Sequence, residues 1–117
     1  MSKNGNTEGN GPTIVRSWKA RASEAGAREY AAFFRNTLAR AMKAIPGNRG
    51  AMMLSRHYDG GEVELVMLSY WDSMEAVGRF AGDAPERAVV EPRAREILSS
   101  YDETVEHYTL DVSNVPV

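Results

Sequence analysis

Apolar and polar residues change period several times along the chain, and each change marks an element. From Thr13 to Ala20 the parity separates Ile14, Arg16 and Trp18 from Val15, Ser17 and Lys19 in a run rich in β-branched and aromatic residues, which predicts a first strand. From about Glu24 to Ile45 the residues Tyr30, Phe34, Leu38, Ala41 and Ile45 recur at steps of three and four, the signature of one long amphipathic helix. Pro46 cannot continue that helix, and Gly47 supplies the permissive backbone for leaving it. Two runs follow, Arg49 to Tyr58 and Glu62 to Trp71, and Asp59-Gly60-Gly61 between them has the composition of a tight reversal, so they read as a hairpin. Asp72 and Ser73 offer capping oxygens to a second helix that carries Met74, Val77, Phe80 and Ala81 on one face and ends near Ala81. Pro92 suits the first turn of a third short helix, to about Ser100. Thr104 to Val112 completes the set as a last strand, with Val105, His107 and Thr109 on one face and Glu106, Tyr108 and Leu110 on the other.

The order β-α-β-β-α-(α)-β is that of the ferredoxin-like, or split βαβ, arrangement, an α+β fold with a four-stranded antiparallel sheet and its helices on one face. Met52-Met53-Leu54 and Leu65-Val66-Met67-Leu68 are apolar on both parities, so both faces of the sheet call for cover. The helices suffice for one face, and a homodimer pairing two sheets is the economical cover for the other. Met1 to Pro12, rich in glycine and asparagine and almost devoid of apolar residues, reads as a disordered leader. The domain is then expected over residues 13–112, with 113–117 as a tail.

Composition narrows the function. A chain of 117 residues with a formal net charge of −2 is one small domain, without room for a nucleotide-binding domain plus a substrate domain. Its 14 basic residues are scattered and outnumbered by 16 acidic ones, which argues against nucleic acid as a partner. The absence of cysteine excludes a thiolate nucleophile, a disulfide framework and an iron–sulfur cluster. No spacing gathers metal ligands, so no bound metal is expected. No apolar run approaches the roughly 20 residues that span a bilayer, and no targeting segment opens the chain, so the expectation is a cytoplasmic protein without a membrane partner.

Trp71-Asp72-Ser73-Met74-Glu75-Ala76-Val77 followed by Phe80-Ala81-Gly82-Asp83 stands together with Arg16 and Trp18 on the first strand, Tyr30 on the first helix, the Pro46-Gly47-Asn48-Arg49-Gly50 turn and the terminal Val105-Glu106-His107-Tyr108. In these features the chain resembles the antibiotic biosynthesis monooxygenase-like family over about residues 13–112. The resemblance implies a ferredoxin-like dimer forming an α+β barrel. It implies activities that range from cofactor-independent oxidation of polycyclic phenols by molecular oxygen to oxidative haem degradation. Haem-degrading relatives carry a histidine on the second helix and an asparagine on the first strand. Neither is present, between Ser73 and Ala84 or between Thr13 and Ala20, which disfavours haem chemistry.

An electron-rich phenolate or enolate can pass an electron to oxygen without a cofactor, so a protein need only deprotonate it, hold it and stabilise the anion. Histidine, with a reference pKa of about 6.5, is the natural base, and the chain has only His57 and His107. His107, on the last strand, is the candidate base; the alternative is a hydrogen-bonded structural histidine. His57, beside the hairpin turn, is expected at the surface. Arg16 shares a face with Trp18, which suits catalysis by stabilising an oxyanion on a flat substrate; the alternative has Arg16 reaching a carboxylate such as Glu64 or Glu106. Trp18 and Trp71 would wall the substrate pocket and Tyr30 would donate a hydrogen bond, against the alternative that Trp71 and Tyr30 pack in the core. The methionines suit irregular core and interface space, and their adaptable thioethers also suit an apolar ligand cavity.

The sequence therefore points to a homodimeric, cofactor-independent monooxygenase acting on an electron-rich aromatic or polyketide-like molecule with molecular oxygen. A noncatalytic small-molecule-binding or stress-related dimer of the same fold is the alternative. A purely structural dimer would differ from both in having no cavity large enough for a ligand.

Overall fold

The computed structural model describes residues 11–117. The expected leader therefore lies, up to residue 10, outside the described residues. The elements in chain order are β1 (Ile14–Ser23), α1 (Glu24–Phe33), a π-helical turn (Phe34–Leu38), α2 (Ala39–Lys43), β2 (Asn48–His57), β3 (Glu62–Trp71), α3 (Met74–Ala81), α4 (Pro92–Ile97), β4 (Ser100–Tyr101) and β5 (Glu106–Thr109). The fold is ferredoxin-like α+β, as its sequence pattern predicts.

The sheet is antiparallel throughout and ordered β2-β3-β1, with β4 and β5 both on the free edge of β1. It has five strands where the pattern predicts four, because the last strand position is filled in two pieces. β5 pairs Arg16 with His107, and the two-residue β4 pairs Ala20 with Tyr101 further along the same edge. The intervening chain leaves the sheet edge to hydrogen bond elsewhere, Val105 N–H donating to the carbonyl of Glu86 at 2.9 Å.

Local chemistry explains most boundaries. The Ser23 hydroxyl accepts from Gly26 N–H at 3.0 Å and starts α1, and the Ser73 hydroxyl accepts from Ala76 N–H at 3.1 Å and starts α3. Gly60 and Gly61, both with φ near +90°, make the hairpin turn, and Tyr58 N–H closes it on the Glu62 carbonyl at 2.8 Å. The long helix holds one difference from its predicted phase. The π-helical turn inserts an extra residue, so the inward positions slip by one: Ala41, expected on the apolar face, is exposed, and Met42 is buried in its place.

The core lies between the helices and one face of the sheet, where Trp18, Ala20 and Ala22 of β1 and Val63, Leu65, Met67 and Trp71 of β3 meet Tyr30, Phe34, Met42, Ala76 and Val77. The opposite face divides in two. Toward one end it is apolar, with Met52, Leu54 and Tyr108 exposed beside half-buried Val15, Val66 and Leu68. Toward the other it is charged, with Arg21 paired to Glu62 at 3.1 Å and Arg56 to Glu64 at 2.9 Å.

Gly47 carries the chain from α2 into β2 at a φ of +93°, and its carbonyl accepts from Asp72 N–H at 2.8 Å. A Cβ placed there would lie 2.5 Å from the Cβ of Ala76, which is buried at the start of α3. Gly47→Ala is therefore expected to cost about 2–4 kcal/mol, from the left-handed backbone and the overlap together. Urea denaturation checks this, and a variant within 0.5 kcal/mol of the parent, roughly the scatter of a surface substitution, would mean the turn relaxes freely.

Candidate functional site

Between the sheet and the helices the core opens into a small, largely apolar cavity whose mouth is open to solvent. β1 contributes Arg16 and Trp18, and the long helix contributes Tyr30, Phe34, Leu38 and Met42 at successive turns. Phe80 of α3 and, from the loop before α4, Val89 and Glu91 complete much of the wall. Apart from the polar groups of Arg16, Tyr30, Ser69 and Glu91, the surroundings are aromatic and aliphatic side chains, the usual make-up of a small-molecule pocket.

Arg16 is the unusual residue. It is only 4% exposed, yet none of the ion pairs among the described residues includes it. The carboxylates that sequence reasoning offered it are taken elsewhere: Glu64 binds Arg56, and Glu106 accepts from the Tyr108 hydroxyl at 2.9 Å. Arg16 instead donates to the carbonyls of Pro85 at 2.5 Å and Arg87 at 2.8 Å. Its guanidinium lies 5.7 Å from the centre of the Phe80 ring. Burial draws its pKa down to about 10, which leaves it charged at neutral pH. Carbonyl dipoles and an aromatic face orient this cation without neutralising it, so an anion entering the cavity meets a fixed, uncompensated positive charge.

His107 faces Arg16 across the β1–β5 pair, its Nε2 3.1 Å from the Arg16 Nη1. A guanidinium can only donate, so Nε2 accepts and the imidazole proton sits on Nδ1. His107 is not part of the cavity wall. Partial burial and then the Arg16 charge hold its pKa below the usual histidine value, with Glu86 opposing. Because the folded-state pKa is the lower one, the neutral ring contributes stability that is fully present above about pH 6.5 and is lost as the pH falls through the folded value. Thermal unfolding followed from pH 7.5 down to 5 should show that loss, and His107→Gln, which still accepts from Arg16, should flatten it. An unchanged profile in the variant would assign the acid sensitivity to other groups.

The remaining expectations divide. Trp18 walls the cavity and donates from its indole to the Asp102 carbonyl at 2.7 Å. Tyr30 also lines it, 2% exposed, with no hydrogen bond from its hydroxyl among the described residues. Burial, and then the negative charge of Glu91, push the Tyr30 phenol well above its usual pKa, so it stays protonated and able to donate. Trp71, expected as a second wall, lies in the core instead: it is fully buried, donates to the Ser69 hydroxyl at 2.8 Å and stacks on Phe80 at 5.7 Å. His57 is exposed at the end of β2. Sequence reasoning missed Glu91, and it did not assign Phe34 or Phe80 to the pocket. The four-residue steps from Tyr30 to Phe34 and Leu38 could have indicated Phe34, whereas nothing in the sequence marked Glu91.

No family model matches the chain, and no curated protein does. Solved structures match its fold across nearly its whole length. A candidate antibiotic biosynthesis monooxygenase from Bacillus cereus superposes with a TM-score of 0.64 at 15% identity, over 90% of this chain and 99% of that one. A dimeric ferredoxin-like protein from an uncultured marine organism gives 0.61 at 10% identity, over 87% and 98%. A monooxygenase of Streptomyces coelicolor in complex with nanaomycin D gives 0.56 at 14% identity, over 95% and 100%. The chain has the fold of the antibiotic biosynthesis monooxygenase proteins, as the sequence resemblance implies.

Proposed function

We propose that this protein is a homodimeric, cofactor-independent monooxygenase that takes an electron-rich hydroxylated aromatic, as its phenolate or enolate, and oxidises it with molecular oxygen. The observation that carries the reading is Arg16, a buried cation without a carboxylate partner among the described residues, which lines an aromatic-walled cavity. The fold shared with a monooxygenase crystallised with nanaomycin D supports it.

In this reading the oxygen on which negative charge gathers docks against Arg16, which favours loss of the substrate's proton to water at the cavity mouth. Trp18, Phe34 and Phe80 hold the flat ring system and exclude bulk water. For an anthrone-like methylene, the carbanion gives one electron to oxygen and the resulting radical pair forms a carbon–oxygen bond. Protonation yields a hydroperoxide, and loss of water leaves a ketone, so one oxygen atom enters the product and the other leaves as water. His107, whose acceptor nitrogen is engaged by Arg16, serves as a positioning residue and not as the base. The dimer follows from the sheet's uncovered face, where Met52, Leu54 and Tyr108 stand in water in the single chain, and from the dimeric neighbour of the same fold.

The test is oxygen uptake by metal-stripped protein with a panel of anthrones and polyhydroxylated aromatics, without flavin or nicotinamide, with light scattering on the same sample. Saturable uptake, a product heavier by one oxygen and lighter by two hydrogens, and a dimer mass are expected. Uptake no faster than without protein would overturn the catalytic reading. One observation favours noncatalytic binding as the second reading: the only histidine near the cavity is committed to Arg16. In that case the same panel would bind and be recovered unchanged.

A further inference from the structure

The cavity has a second polar pole, independent of Arg16. Glu91 lines it at the N-terminal boundary of α4, and its side chain makes neither a helix-capping hydrogen bond nor an ion pair among the described residues. Tyr30 lines the same cavity and is almost fully buried, and its hydroxyl likewise has no hydrogen-bond partner among the described residues. A buried hydroxyl such as that of Tyr30 is rarely left without a partner, because it has lost its water for nothing, and the half-buried Glu91 carboxylate stands beside the same cavity with its acceptor oxygens free of protein donors among the described residues. Arg16 is engaged by the Pro85 and Arg87 carbonyls and, among the described residues, forms no ion pair with Glu91.

We propose that Tyr30 and Glu91 together read a hydroxyl group on the ligand, so the site selects fused aromatics that carry an anionic oxygen for Arg16 and, elsewhere on the ring system, an O–H for this pair. The chemistry is complementary at each atom. The ligand hydroxyl donates to the Glu91 carboxylate, which can only accept, and its oxygen accepts from the Tyr30 O–H. A ligand with the anion but no hydroxyl would cover the half-exposed Glu91 without offering it a donor, which is how a polar site rejects an analogue lacking the group it was built for. Specificity then lies in Glu91 and Tyr30, and Arg16 supplies affinity for any flat anion of the right size. This inference rests on the reading of Arg16 as an anion anchor, and it stands whether the bound molecule is oxidised or merely held.

Two commercially simple probes separate the poles: 2-naphthoate carries only the anion, and 6-hydroxy-2-naphthoate carries the anion and a distal hydroxyl. Affinities are measured by titration calorimetry for the wild-type chain, Glu91→Leu, Glu91→Gln and Tyr30→Phe, with circular dichroism to confirm folding. The wild-type protein is expected to prefer the hydroxylated probe by about tenfold or more, the scale of a hydrogen bond to a charged group. Glu91→Leu should bring the ratio to about one, through lost affinity for the hydroxylated probe, with 2-naphthoate binding kept or improved. Glu91→Gln, which keeps an acceptor without the charge, and Tyr30→Phe should fall between. Equal affinities for the two probes in the wild type, or a ratio that survives Glu91→Leu, would overturn the inference while leaving the Arg16 anchor intact. Failure of both probes to bind the wild type would overturn the anchor and, with it, the second pole.

Discussion

Arg16→Met should abolish most anion binding and destabilise the fold at once, because a single side chain serves both. Methionine can follow the aliphatic stem, so packing against the core is largely kept. What disappears is the donor set: the carbonyls of Pro85 and Arg87 and the Nε2 of His107 all lose their partner, the guanidinium of a residue that is itself only 4% exposed. Removing a buried charge recovers some desolvation energy, but three acceptors without donors outweigh it, and a net loss of about 2–4 kcal/mol is expected. For a domain of this size that lowers Tm by roughly 10 °C or more. Affinity for 6-hydroxy-2-naphthoate should fall about 100-fold, the upper scale of a hydrogen bond to a charged group. Arg16→Lys should recover little of either, because an ammonium cannot span two carbonyls and a ring nitrogen in one plane. A stable Arg16→Met protein that binds the probe unchanged would remove Arg16 from the site and leave the proposed function without its foundation.

The features legible in the sequence are those set by local chemistry. Ser73 capped a helix because its hydroxyl reaches a free amide three residues on, and Asp59-Gly60-Gly61 turned a hairpin because glycine tolerates the required backbone. β4 was not legible, since Ser100–Tyr101 has no period of its own and becomes a strand only by lying against Ala20 and Arg21. The slip from Ala41 to Met42 was hidden for a related reason. A step count assumes 3.6 residues per turn, and the π-helical turn at Phe34–Leu38 breaks that assumption in the middle of the helix.

For the site, strand parity was informative about faces and silent about position along them. Arg16 and Trp18 were correctly paired because they share a face and are neighbours on it. Trp71 also shares that face, but its partner on β1 is Ile14, beyond Arg16 and away from the cavity, where α3 covers it. Glu91 reaches the cavity from a loop whose path depends on where α4 docks, so no spacing in the chain could have announced it.

Trp71 also sets the second large effect. Trp71→Ala removes the largest fully buried side chain, together with its hydrogen bond to Ser69 and its stack on Phe80. Truncations of this kind cost about 3–5 kcal/mol, a large part of what holds a domain of this size together, so the variant is expected to unfold in low urea or to be recovered partly unfolded. Trp71→Phe provides the discriminating case. It keeps an aromatic against Phe80, loses the indole N–H and some volume, and should cost roughly 1–2 kcal/mol. Phe80 stacks on Trp71 and carries the Arg16 guanidinium over its ring, so the ring that walls the cavity should stay supported in this variant and lose its support only when the indole is deleted outright. Trp71→Phe should therefore bind 6-hydroxy-2-naphthoate within about twofold of the parent while melting earlier, separating core support from ligand contact. If affinity fell steeply while urea denaturation showed no loss of stability, Trp71 would have to touch the ligand, and the boundary drawn here between core and cavity would move to include it.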